Sequence, residues 1–379
     1  WEQRKLGDIA KRVIRKNKEN DILPVLTNSA DLGIVLQNDY FDKAIAKNLN
    51  NYYIVSHNDF VYNPRISKKA PFGPINRNKL NIQGVMSPLY LVFRFNSEMD
   101  LNFLEYYFQS SKWYPFMYKN GDSGARADRF AIKNSILMNM TINVPTLDQQ
   151  KKIGKILLLL ENSIALQQRK LEQLELLQKS ILQTIFTSNN KKEKIELNKL
   201  ANYRRGSFPQ PYTNKKWYGG KNSKPFVQVI DVNDNLKLHE QTKERISEIA
   251  QPKSVFVPKG SIIVTLQGSI GRVAITQYDS YVDRTLLILT DFKKKIDKYY
   301  FANALKMVFN KEKLKAPGGT IKTITKSTLS SFKIVLPNIK LQIQYGKLLK
   351  SVDKQIILNK NRIMKLKKIK QFLLQNIFI

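Results

Sequence analysis

Val144-Pro145-Thr146-Leu147-Asp148-Gln149-Gln150 returns as Leu336-Pro337-Asn338-Ile339-Lys340-Leu341-Gln342, and from there a constant offset of 192 residues runs without a gap to the end of the chain. Gly154 falls on Gly346, Leu157 on Leu349, Ile164 on Ile356, Leu174 on Leu366 and Leu182 on Leu374. Gln183, Ile185 and Phe186 meet Gln375, Ile377 and Phe378. Upstream, Ile132, Ser135 and Ile142 meet Ile324, Ser327 and Ile334, and the two halves also begin alike, with Leu6, Ile9 and Ala10 set against Leu197, Leu200 and Ala201. Self-similarity on this scale means one architecture written twice.

The repeated segment predicts a long helix. Thr146 and Gln149 have capping-box spacing, Pro145 and Pro337 stand just before the two starts, and Asn338 is a good N-cap. No further proline interrupts either stretch, so residues 148–187 would form a rod of about 60 Å at 1.5 Å per residue. Apolar residues fall at 153, 157, 160, 164, 171, 174, 181 and 185, alternating three and four as heptads require, with Gln167 and Gln178 at the skipped positions. The second stretch repeats the register as Tyr345, Leu349, Val352, Ile356, Ile363, Leu366, Leu373 and Ile377, interrupted by Asn359 and Lys370 at the same two places. An apolar stripe ordinarily means core packing. Two stripes of this length with one interruption pattern read instead as partners in an intramolecular coiled coil, with Leu157, Leu160, Ile164, Gln167, Leu171 and Leu174 facing Leu349, Val352, Ile356, Asn359, Ile363 and Leu366. Gln167 and Asn359, near mid-helix, could fix the register. Gln178 reports the orientation: a parallel pair sets it against Lys370, an antiparallel pair near Leu349.

Outside the repeat the halves differ in residues but share a plan. A strand-like run from Leu89 to Phe95 leads to Asp100 and a helix carrying Phe103, Leu104, Tyr107 and Phe108; Thr285 to Thr290 leads to Asp297 and a helix with Tyr300, Phe301 and Leu305. Further strands are expected at Ile54–Tyr62, Phe226–Ile230 and Ser261–Leu266. The fold class is therefore α+β: a mixed globule followed by a long helix, twice. A common scaffold with divergent loops suits two reading heads with different targets.

With 379 residues, 42% of them hydrophobic and 10% aromatic, the chain is no disordered polycation. It holds 64 Lys and Arg against 30 Asp and Glu, a net charge of +34. Such a charge calls for a polyanionic partner, nucleic acid first, because neutralised phosphates release counterions. A lysine-favouring codon bias, or simple solubility, is the plainer account of the same number. Cysteine is absent, which excludes disulfides, thiolate zinc sites, iron–sulfur clusters and cysteine nucleophiles and suits a reducing cytoplasm. No apolar stretch approaches the roughly 18 residues of a membrane span, and no secretory signal is visible. The sequence opens on Trp1 rather than Met, so further residues are expected before it.

Catalytic motifs are missing. His57 and His239 are isolated and read as surface or loop residues. There is no Walker A loop and no dinucleotide fingerprint; Gly268-Ser269-Ile270-Gly271 is a loop, and Asn63-Pro64-Arg65 is only half of an amino-methyltransferase motif. No catalytic residue and no metal site is assigned. The basic residues are more informative by location. Arg65, Lys68, Lys69, Arg77 and Lys79 cluster in a loop rich in Pro, Gly, Asn and Ser, followed by Arg126 and Arg129. The second half has Arg204 and Arg205, then Lys215, Lys216 and Tyr218, then Gln267, Ser269 and Arg272, then Lys322 and Lys326. On glycine-loosened loops such side chains reach phosphates and base edges, although a lone lysine is often merely solvated. The second long helix carries ten Lys or Arg between 340 and 370 against Asp353 alone, which suggests a surface facing DNA or an acidic partner.

These features together resemble the specificity subunit of Type I restriction–modification enzymes, over essentially the whole length. The most specific parts are Trp1-Glu2-Gln3-Arg4-Lys5-Leu6-Gly7-Asp8-Ile9, the helix openings at Pro145 and Pro337, and the endings Leu182-Gln183-Thr184-Ile185-Phe186 and Leu374-Gln375-Asn376-Ile377-Phe378. Gly318-Gly319-Thr320-Ile321-Lys322 is similar to the family's glycine-rich entry to the second helix; Leu341-Gln342 departs from its usual Glu-Gln. The resemblance implies two target-recognition domains, residues 1–145 and 191–336, each reading half of a bipartite asymmetric DNA target. It implies that helices at 146–190 and 337–379 pack antiparallel, with pseudo-two-fold symmetry, as a ruler between the half-sites. It further implies docking of methyltransferase subunits, two of them, and through these of a translocating nuclease. S-adenosylmethionine, ATP and Mg would then belong to the partner subunits, this chain would hold no cofactor and do no chemistry, and the complex would act on double-stranded DNA in the cytoplasm with no membrane involved. The alternative is a structural coiled-coil adaptor with loose nucleic-acid affinity; a fused restriction–methylation fragment is disfavoured by length and missing motifs.

Overall fold

The opening residues of each half fold back onto the residues that launch its long helix. Glu2–Lys5 pairs antiparallel with Thr141–Val144, and Lys194–Glu196 pairs antiparallel with Lys333–Val335. The chain, here a computed structural model, is described over residues 1–18, 22–41, 49–122, 128–187, 193–315, 324 and 326–378. It forms two units, one of residues 1–168 with 361–379 and one of residues 169–360. After the first strand each unit makes a single helical turn, Leu6–Ile9 or Leu197–Leu200, whose terminal apolar residues are fully buried. This accounts for the likeness between the two openings.

The sheets repeat too. In the first unit Ala10–Arg12, Leu91–Phe95, Phe60–Tyr62 and Ile75–Arg77 lie in that order; in the second Ala201–Arg205, Leu286–Phe292, Ile262–Thr265 and Val273–Ile275 do, antiparallel throughout. The divergence lies in what covers this framework. The first unit adds two antiparallel pairs, Leu26–Ser29 with Gly33–Leu36 and Tyr53–Val55 with Gly84–Met86. The second adds a four-stranded mixed sheet of Glu244–Ile246, Lys224–Val227, Ser280–Val282 and Val255–Val257. The single strand expected at Ile54–Tyr62 is two strands in different sheets, because Asn58 turns left-handed (φ +70°) and the Asp59 carboxylate accepts from the Ser56 amide at 2.8 Å. Phe226–Ile230 likewise ends early, at Val227, where Asp231 accepts from the Gln228 amide at 2.8 Å and a 3-10 turn begins.

The long helices are Leu147–Phe186 and Ile339–Asn376, hereafter the central and C-terminal helices. The Thr146 hydroxyl accepts from the Gln149 amide while Gln149 accepts from the Thr146 amide, at 3.4 and 3.3 Å, and Asn338 accepts from Leu341 at 3.0 Å. In each unit the two helical stretches run antiparallel. In the first, Glu161 of the central helix meets Lys370 of the C-terminal helix at 3.0 Å; in the second, Gln178 meets Asp353, one turn from Leu349, and Glu175 meets Lys360 at 2.8 Å. Leu157, Ile164, Leu349, Val352, Ile356, Asn359 and Ile363 are buried, and Leu160, Gln167, Leu171, Leu174 and Leu366 are half-buried.

Each globule sits on the helices through one joint built twice. Asp100 caps the helix Leu101–Gln109 by accepting from the Phe103 amide at 2.8 Å, and its own amide donates to Gln150 of the central helix at 3.0 Å. Asp297 caps Lys298–Lys315 through the Tyr300 amide at 2.8 Å and donates to Gln342 at 3.1 Å. Gln150 and Gln342 each also donate to the proline carbonyl five residues earlier. Gly154 and Gly346 leave room for the caps: a Cβ on either would lie 2.6 or 2.3 Å from the aspartate oxygen. Aromatic closures complete the joints, Phe378 packing on Phe103 and Tyr107 at 5.3 and 5.7 Å and Phe186 on Tyr300 at 5.2 Å.

A hydrogen-bonded triad follows in each unit. The Tyr106 hydroxyl donates to Glu161 at 2.6 Å beside Lys370, and the Tyr299 hydroxyl donates to Asp353 beside Gln178. Glu161 and Asp353 are repeat equivalents, as are Gln178 and Lys370. The seam is polar at these positions because each side chain must donate to an acid on the neighbouring helix. Burial alone would raise the Glu161 carboxyl, but hydrogen bonds from Tyr106 and the Lys370 charge outweigh it and hold the group below its ordinary value. Burial first, then the hydrogen bond to Glu161, pushes the Tyr106 hydroxyl far up, so it remains a donor at all ordinary pH.

Candidate nucleic-acid interface

In the first unit the loop Asn63-Pro64-Arg65 is held from within. The Asn63 side-chain Oδ1 accepts from the Arg65 amide at 3.0 Å, and its Nδ2 donates to the Asn28 backbone carbonyl at 2.8 Å. Arg65 forms a backbone bridge with Arg129, so residues far apart in sequence share one edge of a concavity of about 390 Å³, walled by Tyr40, Tyr52 and Tyr90. Arg65 also lies 3.3 Å from Asp128, and Lys69 2.5 Å from Asp31. All four side chains are more than half exposed, so these pairs are worth at most about 1 kcal/mol and yield readily to a phosphate. Lys68 is exposed. Arg77 faces inward: only 12% exposed, it lies 2.8 Å from Glu105 and 2.9 Å from Asn102. Lys79 joins it on the same buried carboxylate. Arg77 is thus a structural cation, because Glu105 is buried and needs a counter-charge. Arg126 lies outside the described residues.

In the second unit Arg204 and Arg205 are exposed on the edge strand of the repeated sheet. Lys215 and Lys216 belong to a 3-10 turn capped by Asn214, with the Lys216 ammonium 4.4 Å and that of Lys253 5.1 Å from the centre of the Trp217 ring. Tyr218 is half-buried, its ring 5.2 Å from Phe208, and packs against the aromatic core around Phe208 and Phe226. Gln267 and Ser269 are exposed on either side of Gly268, in a loop where Gly268 and Gly271 both have positive φ. Their neighbour Arg272 turns back to Asp234 at 2.9 Å and to the Val232 carbonyl at 3.3 Å, stitching two loops together. Lys322 lies outside the described residues; Lys326 opens the short helix Lys326–Ser330, and its side chain is outside the description.

Among the exposed cations of the second unit that sequence reasoning passed over are Lys243, Arg245 and Arg284. Arg284 has a legible signal, since Asp283-Arg284-Thr285 joins two strand-like runs and aspartate followed two residues later by threonine is an Asx-turn pattern. The Asp283 carboxylate does accept from the Thr285 amide, at 2.8 Å. Both expected loop histidines, His57 and His239, are exposed. Among the described residues no group of three His, Cys, Asp or Glu could hold a metal ion, and no helix is long and apolar enough to cross a membrane. The helices carry exposed apolar side chains, among them Leu159, Leu166 and Leu176 on the central helix and Ile369 and Phe372 on the C-terminal one.

A family model, the Type I restriction modification DNA specificity domain, matches residues 1–176 and again 189–368. A candidate type I restriction enzyme MjaX specificity subunit from Methanocaldococcus jannaschii is 23% identical over 258 residues, covering 64% of this chain and 59% of that protein. The match thus spans less than two thirds of the curated relative. Among solved structures, the Type-I restriction-modification S subunit from M. genitalium has a TM-score of 0.62 at 14% identity, over 100% of this chain and 96% of that one. A chain from a study of complex assembly and conformational transition of the type I R-M system has a TM-score of 0.58 at 15% identity, over 99% and 96%. The HsdS subunit from Thermoanaerobacter tengcongensis has a TM-score of 0.50 at 17% identity, over 99% and 95%. At these identities the likeness is one of fold.

Proposed function

The chain belongs to the family of type I restriction–modification DNA specificity domains, and from that premise we propose that it is the sequence-reading subunit of a type I restriction–modification complex. Residues 1–145 and 191–336 are its two target-recognition domains, and 146–190 and 337–379 the helices that carry them. The observation that bears most weight is the divergence confined to one layer: an identical sheet order and identical joints in both units, under coverings that share neither strand order nor residues. A selected framework with unlike loops fits two half-sites of unlike sequence. Exposed Arg and Lys on those coverings, together with a net charge of +34, supply phosphate affinity and steer the encounter. Side chains on loops fixed from within, such as Arg65 behind Asn63, supply base contacts.

Chemistry belongs to other chains in this reading. Methyltransferase subunits, two by the internal symmetry, dock on the helices, where exposed leucines and Phe372 offer apolar surface. The restriction subunit joins through them; S-adenosylmethionine, ATP and Mg are theirs. The work is done on chromosomal and invading DNA in the cytoplasm. The test is methylome sequencing of cells carrying the gene with its partner subunits, against cells lacking only this chain. One bipartite asymmetric methylated motif should depend on the chain. Methylation indifferent to its deletion would refute the assignment and favour a structural adaptor.

A further inference from the structure

The second unit contains a column of stacked side chains that ends in an arginine. Phe226, fully buried on its strand, stacks on Phe208 with ring centres 4.5 Å apart and planes 29° apart. Phe208 stacks on Tyr212 at 5.0 Å and 25°. The guanidinium carbon of Arg284 lies 5.3 Å from the centre of the Tyr212 ring. The column cannot swing at its outer end, because the Tyr212 hydroxyl donates to Asp283 at 2.5 Å and Asp283 is itself buried, accepting from the Thr285 amide and hydroxyl at 2.8 and 2.5 Å. Arg284 is exposed and forms no ion pair among the described residues. It borders an open cup of about 360 Å³ with Gln228, Ile230 and Lys243 on its rim; Ile230 is 58% exposed.

Strand register brings more cations to the same end. Arg205 pairs with Leu287 and Arg204 with Ile288, so both stand on the edge strand beside the turn that carries Arg284. The Gly206 amide, donating to the Leu286 carbonyl at 3.1 Å, and the Ser207 amide, donating to Val282 at 3.0 Å, tie that turn to the edge strand. A phosphate contact needs only a charge on a flexible stem, as Arg204, Arg205 and Lys243 provide. A guanidinium laid on a rigid aromatic shelf has already lost its rotamer freedom, and its fork points one way. An exposed isoleucine beside it is badly placed for phosphate and well placed for a base edge or a thymine methyl.

Resting on the proposed function, we propose that Arg284 reads a guanine in the half-site of the second target-recognition domain, its guanidinium forked onto O6 and N7 in the major groove, with Arg204, Arg205 and Lys243 on the flanking phosphates. Among the described residues of the second unit, no other exposed arginine lies against an aromatic ring anchored in the core, and the Tyr212 hydroxyl that Arg284 also approaches holds it over that ring.

The test uses the chain assembled with its methyltransferase subunits and a panel of duplexes, each altering the methylated motif at one position. For the wild type, one guanine of the second half-site should be discriminated by about 5- to 150-fold. Arg284→Ala should abolish discrimination at that position alone, lower affinity for the unaltered duplex by a similar factor, and leave the first half-site and the spacing untouched. Tyr212→Leu, which removes the shelf and keeps the arginine, should weaken discrimination at the same position. An Arg284→Ala complex that retains every positional preference refutes the proposal. So does a uniform loss on all duplexes accompanied by a salt dependence shallower by about one phosphate, which would make Arg284 a backbone contact. In both refutations the wild type still binds a bipartite motif, so the proposed function stands. A wild-type complex with no preference for any duplex would remove the reading beneath it.

Discussion

Replacing Glu161 with glutamine removes a charge shared by a globule and a helix. Its carboxylate accepts from the Tyr106 hydroxyl at 2.6 Å and from the Lys370 ammonium at 3.0 Å. A hydrogen bond to a charged acceptor is worth about 1.5–3 kcal/mol, and Tyr106, at 1% exposure, has no water to fall back on. The ion pair is smaller: Glu161 is 38% exposed and Lys370 19%, so screening leaves roughly 0.5–1 kcal/mol. Glutamine still accepts one bond, and the net loss should be about 1–2 kcal/mol, a drop of about 2–8 °C in the unfolding midpoint for a unit of this size. Tyr106→Phe should lose about 1 kcal/mol, and a cycle with Glu161→Gln should depart from additivity by a similar amount. Hydrogen exchange locates the effect: protection should fall along Leu101–Gln109 and stay unchanged along Lys298–Lys315. Additive effects, or equal loss of protection in both helices, would refute a joint local to the first unit.

Acid titration should expose the same group. Glu161 is held below the ordinary carboxylate value of about 4.3, so its contribution is complete above that value and is lost as pH falls through the folded one; urea midpoints between pH 7 and 3 should fall less in Glu161→Gln than in the wild type. Gly154→Ala and Gly346→Ala should each destabilise by about 1–3 kcal/mol, despite alanine's better helix propensity, because the new methyl meets the Asp100 or Asp297 cap; chemical denaturation checks the sign. Gln150→Ala and Gln342→Ala should behave alike, each losing about 1–3 kcal/mol as the cap amides lose their acceptors. Arg204→Ala with Arg205→Ala should lower DNA affinity on all sequences and reduce the slope of log affinity against log salt by nearly 2, read by fluorescence anisotropy between 50 and 200 mM salt.

Much of the framework was legible because it obeys one-dimensional rules. A constant offset and a heptad stripe free of proline predicted both long helices, and Thr146 with Gln149 and Asn338 marked their starts. The polar interruptions at Gln178 and Lys370 were visible, but their purpose was not. Each answers an acid 175 or 209 positions away along the chain, and only the antiparallel register brings the two together. The coverings of the two sheets were least legible, since strands of three or four residues carry too little periodicity to declare a face. Charge alone did not show that Arg77 turns inward to the buried Glu105, or that Arg272 bridges to Asp234 on a neighbouring loop. Arg284 was overlooked because its distinction is the aromatic column beneath it, assembled from residues 208, 212 and 226.

On the proposed function, one chain carries two independent readers on a common framework. Exchanging residues 1–145 for the same region of a relative with a different target, and then sequencing the methylome of cells carrying the hybrid and its partner subunits, tests it most directly. One half of the methylated motif should change, while the other half and the spacing between them remain. A motif unchanged in both halves, or altered in both, would contradict the account.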